Sequence, residues 1–155
     1  MVAVGAGEIH VYRTRAPFHE PRALRTPNGK PYLPDSPIRF NVSHSHQLTL
    51  IAVTYEVEVG VDLERIRALP DYRAIAERYF PPGEAALTGE IDFFRRWTRF
   101  EAVLKAQGVG LYGAGAPLEG EWTIADLDVA EGYAAAVAAP RAAMTVRLHD
   151  FGVEP

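Results

Sequence analysis

Cysteine is absent from the 155 residues, which excludes disulfides and thiolate metal sites and fits a reducing compartment. Lysine is scarce. Of 16 basic residues only Lys30 and Lys105 are lysines, the rest being arginine. A compact ammonium and a planar guanidinium are not interchangeable at a phosphate, so the places where this chain keeps lysine deserve weight. No uncharged apolar run is long enough to span a bilayer. The opening Met1-Val2-Ala3-Val4-Gly5-Ala6-Gly7 lacks the charged start and the length of a signal peptide. Positive charge is not in excess either. The net charge of -4 argues against a general nucleic-acid binder. These absences predict a cytoplasmic protein with neither membrane nor nucleic-acid partners.

What is present is globular in character. With 48% hydrophobic and 23% charged residues, the chain reads as a single domain over 1–155 that can bury a real core. Residues 8–15 alternate as a short strand. From Ala16 to Pro37 the chain is broken by Pro17, Pro21, Pro27, Pro31, Pro34 and Pro37, with Asn28-Gly29 as a turn signal, and reads as a long loop. Strands are predicted at Ile38–Ser43, Leu48–Thr54 and Glu58–Glu64, with a turn at Tyr55–Val57. Helices follow at Asp71–Tyr79 and Ile91–Ala106, with a helical turn over Gly83–Leu87 and Gly108 and Gly110 closing the long helix. Trp122–Val129, Tyr133–Ala139 and Thr145–Leu148 read as antiparallel strands. Strands, then helices, then strands make an α+β domain.

Four segments carry candidate chemistry. In Gly60-Val61-Asp62-Leu63-Glu64 the two-residue period of a strand sends Asp62 and Glu64 to one face and Val61 and Leu63 to the other. Paired carboxylates without His or Cys suit magnesium better than zinc, although Asp-x-Glu at a strand end is also the ordinary composition of a solvated edge. On the long helix, Phe93, Trp97, Phe100 and Leu104 form one apolar stripe. Glu101 and Lys105 lie i, i+4 on an adjoining face. That spacing gives either a surface ion pair worth roughly 0.2–0.5 kcal/mol or a third carboxylate with an ammonium one turn on. Phe40-Asn41-Val42-Ser43-His44-Ser45 leaves hydroxyls and an imidazole at a strand end, where they can meet an anion or serve structure. Asn28-Gly29-Lys30-Pro31 presents one ammonium on a turn, without the spacing of a nucleotide P-loop.

In this order, Gly29-Lys30-Pro31, Phe40-Asn41-Val42-Ser43-His44-Ser45, Val59-Gly60-Val61-Asp62-Leu63-Glu64 and Trp97-Thr98-Arg99-Phe100-Glu101-Ala102, followed by Lys105-Ala106 and Gly108-Val109-Gly110-Leu111, the sequence resembles the 4'-phosphopantetheinyl transferases. It is closer to their larger, surfactin-synthetase-activating type. The resemblance covers roughly residues 28–112, and both lysines fall on the family's lysine positions. It implies a 4'-phosphopantetheinyl transferase-like fold, with an antiparallel sheet packed against one long helix and shorter helices. It implies transfer of phosphopantetheine from coenzyme A to a serine of an acyl or peptidyl carrier protein. Asp62, Glu64 and Glu101 are then the magnesium ligands. Gly29, Lys30, Pro31, Ser43 and His44 become coenzyme A contacts, with His44 also at the catalytic centre. Lys105 neutralises the pyrophosphate, and Glu101 takes the serine proton.

Two departures accompany the resemblance. Phe100 stands where the family usually has lysine. The chain also resembles the second half of a two-half enzyme with a short lead-in, so self-association or a partner chain is expected to complete the cleft. Arg13, Arg15, Arg22 and Arg25 are candidates to grip the coenzyme A 3'-phosphate. Arg65, Arg67, Arg95, Arg96 and Arg99 are candidates to meet an acidic carrier. A module that binds coenzyme A or a carrier without transfer is the alternative.

Overall fold

The structure, a computed structural model, describes residues 3–15, 23–111 and 119–151. Its elements are β1 (Glu8–Thr14), β2 (Leu24–Arg25), β3 (Pro31–Tyr32), β4 (Ile38–Ser45), β5 (Leu48–Tyr55), β6 (Gly60–Arg65), α1 (Tyr72–Tyr79), α2 (Pro82–Leu87), α3 (Glu90–Gln107), β7 (Thr123–Asp126), β8 (Tyr133–Ala139) and β9 (Thr145–Asp150). The α+β composition stands, but the strands form two main sheets rather than one. A four-stranded sheet runs β4-β5-β1-β9 and a three-stranded sheet runs β6-β8-β7.

The two-residue period explains the layering. Ile9 and Val11 of β1 with Leu48, Leu50 and Ala52 of β5 line one face of the larger sheet. They pack against Val61 and Leu63 of β6 and Ala135, Val137 and Ala139 of β8. The opposite face of the smaller sheet, carrying Ala136 and Ala138, packs on Ala102 and Val103 of α3. The order is therefore large sheet, small sheet, helix.

Three expectations change. The strand at the C-terminal end was expected to be antiparallel; β9 instead pairs parallel to β1, Ile9 opposite Val146. A strand five residues after β8 would ordinarily fold back on it. Both edges of β8 are already taken, by β6 and β7, so β9 crosses to the free edge of β1. Within the proline-rich loop, β2 and β3 form a short hairpin. Its tip is closed by Thr26 N–H on Lys30 O and Gly29 N–H on Thr26 O, both 2.8 Å, with Gly29 at φ 85°, a conformation glycine adopts without penalty. Residues 16–22 of that loop lie outside the described residues. The predicted strand Trp122–Val129 contracts to β7, and Leu127 and Val129 turn into the core.

Helix α3 buries two stripes rather than one. Phe93, Trp97 and Phe100 join Tyr72, Tyr79 and Phe80 in an aromatic cluster beneath α1. Thr98, Ala102 and Ala106, all buried, turn to the sheet, where small side chains let the backbones approach. A Cβ on Gly60 would overlap the Ala102 carbonyl oxygen, so the start of β6 touches the helix backbone itself. The helix ends on Gly108, at φ 73°, whose N–H caps Leu104 O and Lys105 O, as a glycine C-cap does.

Among the described residues, no strand pairs with the other edge of β6. Three side chains of β4 take that place. Asn41 Oδ1 accepts from Val61 N–H (2.9 Å), Ser43 Oγ from Leu63 N–H (3.1 Å) and Ser45 Oγ from Arg65 N–H (3.0 Å). Residues at i, i+2 and i+4 of one strand thus satisfy i, i+2 and i+4 of the other.

Because the Gly60 contact is backbone to backbone, Gly60→Ala forces α3 off the sheet. It is expected to cost about 1–3 kcal/mol, read as a lower urea midpoint. An unchanged midpoint would show that this contact does not set the helix position.

Candidate functional site

Asp62 lies on the face of β6 opposite the core, toward α3, and is only 5% exposed. Its Oδ1 accepts from Lys105 Nζ at 2.8 Å and from the Ser43 hydroxyl at 3.4 Å. Lys105 Nζ also donates to Val61 O (3.1 Å) and Ser43 Oγ (3.3 Å). The three donors of one ammonium are thereby matched to three acceptors. Asp62 Oδ2 is buried without a hydrogen-bond partner. Burial pushes the Asp62 carboxyl above the usual carboxylate range, and the neighbouring charge of Glu64 adds to it. The Lys105 ammonium opposes both without prevailing.

Glu101, one turn before Lys105, is half-buried and has no hydrogen bond or ion pair among the described residues. Its carboxyl is also raised, first by burial, then by the charges of Asp62 and Glu64. The i, i+4 ion pair between Glu101 and Lys105 does not form, because the ammonium is taken by Asp62. Glu64, at the end of β6, pairs with Arg67 at 3.0 Å. The solvated-edge alternative for Asp-x-Glu therefore fails for Asp62, which is buried, and holds in part for Glu64.

Carboxylate oxygens, one of them orphaned in a buried place, suit a hard divalent cation. The part of the Glu101 elevation that comes from the charges of Asp62 and Glu64 has the same sense, since like charges brought together favour a bound cation or a proton. The residues fit such an ion in kind. Among the described residues, though, no three side chains of His, Asp or Glu stand in a ready-made cluster. The chain's own cations lie against two of the three carboxylates.

The other expected site residues fall nearby but differ in disposition. Ser43 is buried and spent on β6 and Asp62 rather than presented outward. His44, next along β4, is exposed and without a hydrogen bond among the described residues. Lys30 Nζ donates to Glu58 Oε2 (2.8 Å), Val59 O (3.1 Å) and Ala106 O (3.2 Å), tying the hairpin to β6 and to the end of α3. Lys30, Pro31, Tyr32, Arg39, Phe40 and Glu58 line a cleft of about 570 Å³. Gly29 forms the hairpin tip beside it.

Of the candidate phosphate arginines, Arg13 is bound to Asp150 (2.5 Å) and the Val129 carbonyl, and Arg25 donates to Gly29 O. Arg22 lies outside the described residues. The arginines expected to meet a carrier have partners within the chain as well. Arg99 grips Asp126 through two bonds of 2.5 and 2.7 Å, Arg96 meets Glu84 at 3.5 Å, and Arg65 reaches His46.

Phe100 is half-buried among Tyr79, Phe80 and Trp97, with ring centroids 5.7–6.2 Å apart. The hydrophobic stripe predicted that burial. Asn41 escaped the reading of individual residues. Its signal was the alternation of Asn41, Ser43 and Ser45 with Phe40 and Val42, which marks a strand with one polar face toward a neighbour.

A profile of the 4'-phosphopantetheinyl transferase superfamily matches residues 58–141, from just before β6 through β8. The chain belongs to that superfamily. It is 43% identical over 94 residues to the 4'-phosphopantetheinyl transferase HetI of a Nostoc species, a match spanning 54% of this chain and 40% of the relative. With the 4'-phosphopantetheinyl transferase AcpT of Escherichia coli K12 it shares 34% over 111 residues, or 66% of this chain and 56% of the relative. With the 4'-phosphopantetheinyl transferase gsp of Aneurinibacillus migulanus it shares 37% over 91 residues, or 54% and 37%. The chain thus covers less than two thirds of these relatives' own length. Asp62, Glu64, Glu101 and Lys105 lie inside the segment matched by the family profile, while Lys30 and His44 precede it.

The raised carboxyls of Asp62 and Glu101 contribute a pH dependence to stability without added divalent cation. Between the ordinary carboxylate range and their raised values, the folded chain holds protons that the unfolded chain has released. Stability therefore falls as pH rises through that window and levels off above it. Urea midpoints across pH are expected to show this decline in the wild type and a shallower one in Glu101→Gln. Equal slopes would remove Glu101 as a source.

Proposed function

We propose that this chain transfers the 4'-phosphopantetheine arm of coenzyme A to a serine hydroxyl of an acyl or peptidyl carrier protein, with magnesium, releasing 3',5'-ADP. The observation that carries the reading is the convergence of Asp62, Glu101 and Lys105 across the β6–α3 junction, with one Asp62 oxygen buried and unpartnered, in a chain of this superfamily.

Asp62, Glu64 and Glu101 are the residues that would hold magnesium. When bound, the ion supplies charge neutralisation at the pyrophosphate. Lys105 adds a second positive charge there, on the sheet side. Phosphoryl-type transfer asks the protein mainly for positioning and neutralisation, and side-chain bonds join the three elements that meet at this point (β4, β6 and α3). The carrier serine oxygen attacks the β-phosphorus. The bond from that phosphorus to the bridging oxygen breaks, and 3',5'-ADP leaves with the bridging oxygen. Glu101 accepts the serine proton, a role favoured by a carboxyl whose proton affinity burial has raised. The cleft lined by Lys30 and Pro31, beside the Gly29 turn, takes the nucleotide end of coenzyme A. His44, exposed farther along β4, is a further contact for it, whereas Ser43 acts through Asp62 and Lys105.

A second reading has one observation in its favour. Phe100 is committed to the aromatic cluster, so no cation stands immediately before Glu101. A module that binds coenzyme A or a carrier without transfer would tolerate that. Completion of the cleft by a second copy or a partner belongs to the leading reading. Light scattering that showed a monomer while the chain transferred would remove that part.

The decisive assay combines purified chain, coenzyme A, magnesium and an apo carrier protein, and follows the carrier's mass. The wild type is expected to add one phosphopantetheine. Glu101→Gln should slow this by about 100-fold or more, and Asp62→Asn should do likewise. Coenzyme A binding with no mass gain on several carriers establishes the module reading instead. Variants as fast as wild type would overturn the assignment of the site.

A further inference from the structure

The mechanism needs Asp62 to face Lys105 and α3, and beyond the bonds of its own carboxylate to Lys105 and Ser43 something must fix the backbone that carries it. Its strand does. One edge of β6 is laddered to β8 from Gly60–Ala138 to Arg65–Tyr133. In an antiparallel strand, alternate residues send both N–H and C=O to the same side, so residues 61, 63 and 65 turn their polar groups to the edge that lacks a strand. A buried N–H without an acceptor costs about 1–3 kcal/mol. Side chains supply the acceptors, and Lys30 and Lys105 cap the Val59 and Val61 carbonyls on the same edge.

The three β4 side chains are not equivalent. Ser45 serves the exposed end of β6. Ser43 divides its hydroxyl among Leu63 N–H, Asp62 and Lys105. The Asn41 side chain makes one hydrogen bond among the described residues, accepting from Val61 N–H at 2.9 Å, in a site where Asn41 is 6% and Val61 0% exposed. Val61 is the residue immediately before Asp62, and its carbonyl also receives Lys105. Asn41 itself bonds to neither Asp62, Glu64, Glu101 nor Lys105.

We infer that Asn41 is a positioning residue for the carboxylate site: by holding Val61 N–H it fixes the rotation of β6 about its edge, and with it the direction of the Asp62 carboxylate. This rests on the proposed magnesium site. Asn41→Leu keeps the volume and removes the acceptor. Val61 N–H is then buried unpaired, and the strand relieves it by turning its edge toward water, which carries Asp62 away from α3. Asn41→Asp restores an oxygen at the same reach.

The test uses the full chain and Mn2+ alone, followed by electron paramagnetic resonance, with amide hydrogen exchange by NMR and thermal unfolding on the same samples. Asn41→Leu is expected to weaken Mn2+ binding about 10-fold or more, the usual effect of removing an outer partner of a metal ligand. Val61 should lose its exchange protection, and Asn41→Asp should recover both signals. If the leucine variant does not fold, Asn41→Ala, which also cannot reach the amide, decides the same point. Mn2+ affinity within twofold of wild type in a folded variant lacking the acceptor overturns the inference while leaving the magnesium site intact, and a lowered melting temperature alone does not rescue it. A wild type that binds no Mn2+ overturns both together.

Discussion

A single backbone edge governs the geometry of this protein. Strand β6, at the edge of the smaller sheet, lies between the larger sheet and α3; among the described residues it has one strand neighbour, and most of its remaining edge is buried. Unpaired backbone groups are not tolerated there, so the edge is closed by side chains from three other parts of the chain. Asn41, Ser43 and Ser45 come from β4, Lys30 from the β2–β3 hairpin and Lys105 from the last turn of α3. Two of the side chains that close the edge, Ser43 and Lys105, also hold the Asp62 carboxylate.

That arrangement gives the scarcity of lysine a reason additional to phosphate chemistry. Both ammonium groups sit at junctions where three acceptors converge: a carboxylate, a carbonyl of the β6 segment, and one further oxygen. A tetrahedral ammonium on a flexible stem suits three converging oxygens, whereas a planar guanidinium suits two parallel ones. The arginines do the second kind of work, as the two-bond contact of Arg99 with Asp126 shows. Close approach does the rest. Gly60, Ala102 and Ala106 remove the side-chain thickness that would otherwise hold α3 away from β6, and Lys105 spans the distance that is left.

Much of this was legible in residue patterns. The two-residue alternation of Val61 and Leu63 against Asp62 and Glu64 gave the orientation of β6, and the helical period of Phe93, Trp97 and Phe100 gave one buried face of α3. Other features depend on partners distant in the chain. The second, small-residue stripe of α3 carries little hydrophobic signal, because alanine and threonine become core residues only when a backbone comes close. The parallel docking of β9 follows from the occupancy of both edges of β8, which no local pattern records. Local spacing placed Lys105 beside Glu101. The fold gave it to Asp62, since a buried carboxylate forms the stronger pair.

The sequence alone determined the α+β composition and the family's ordered motifs, and it named the three carboxylates and two lysines as candidates, because these rest on local period and residue type. Only the tertiary structure decided which of those groups are buried, which ammonium meets which oxygen, and that β6 borrows side chains in place of a strand. The physical reason is range. Periodicity acts over a few residues, whereas desolvation and the closing of a strand edge depend on segments 20 to 76 residues apart.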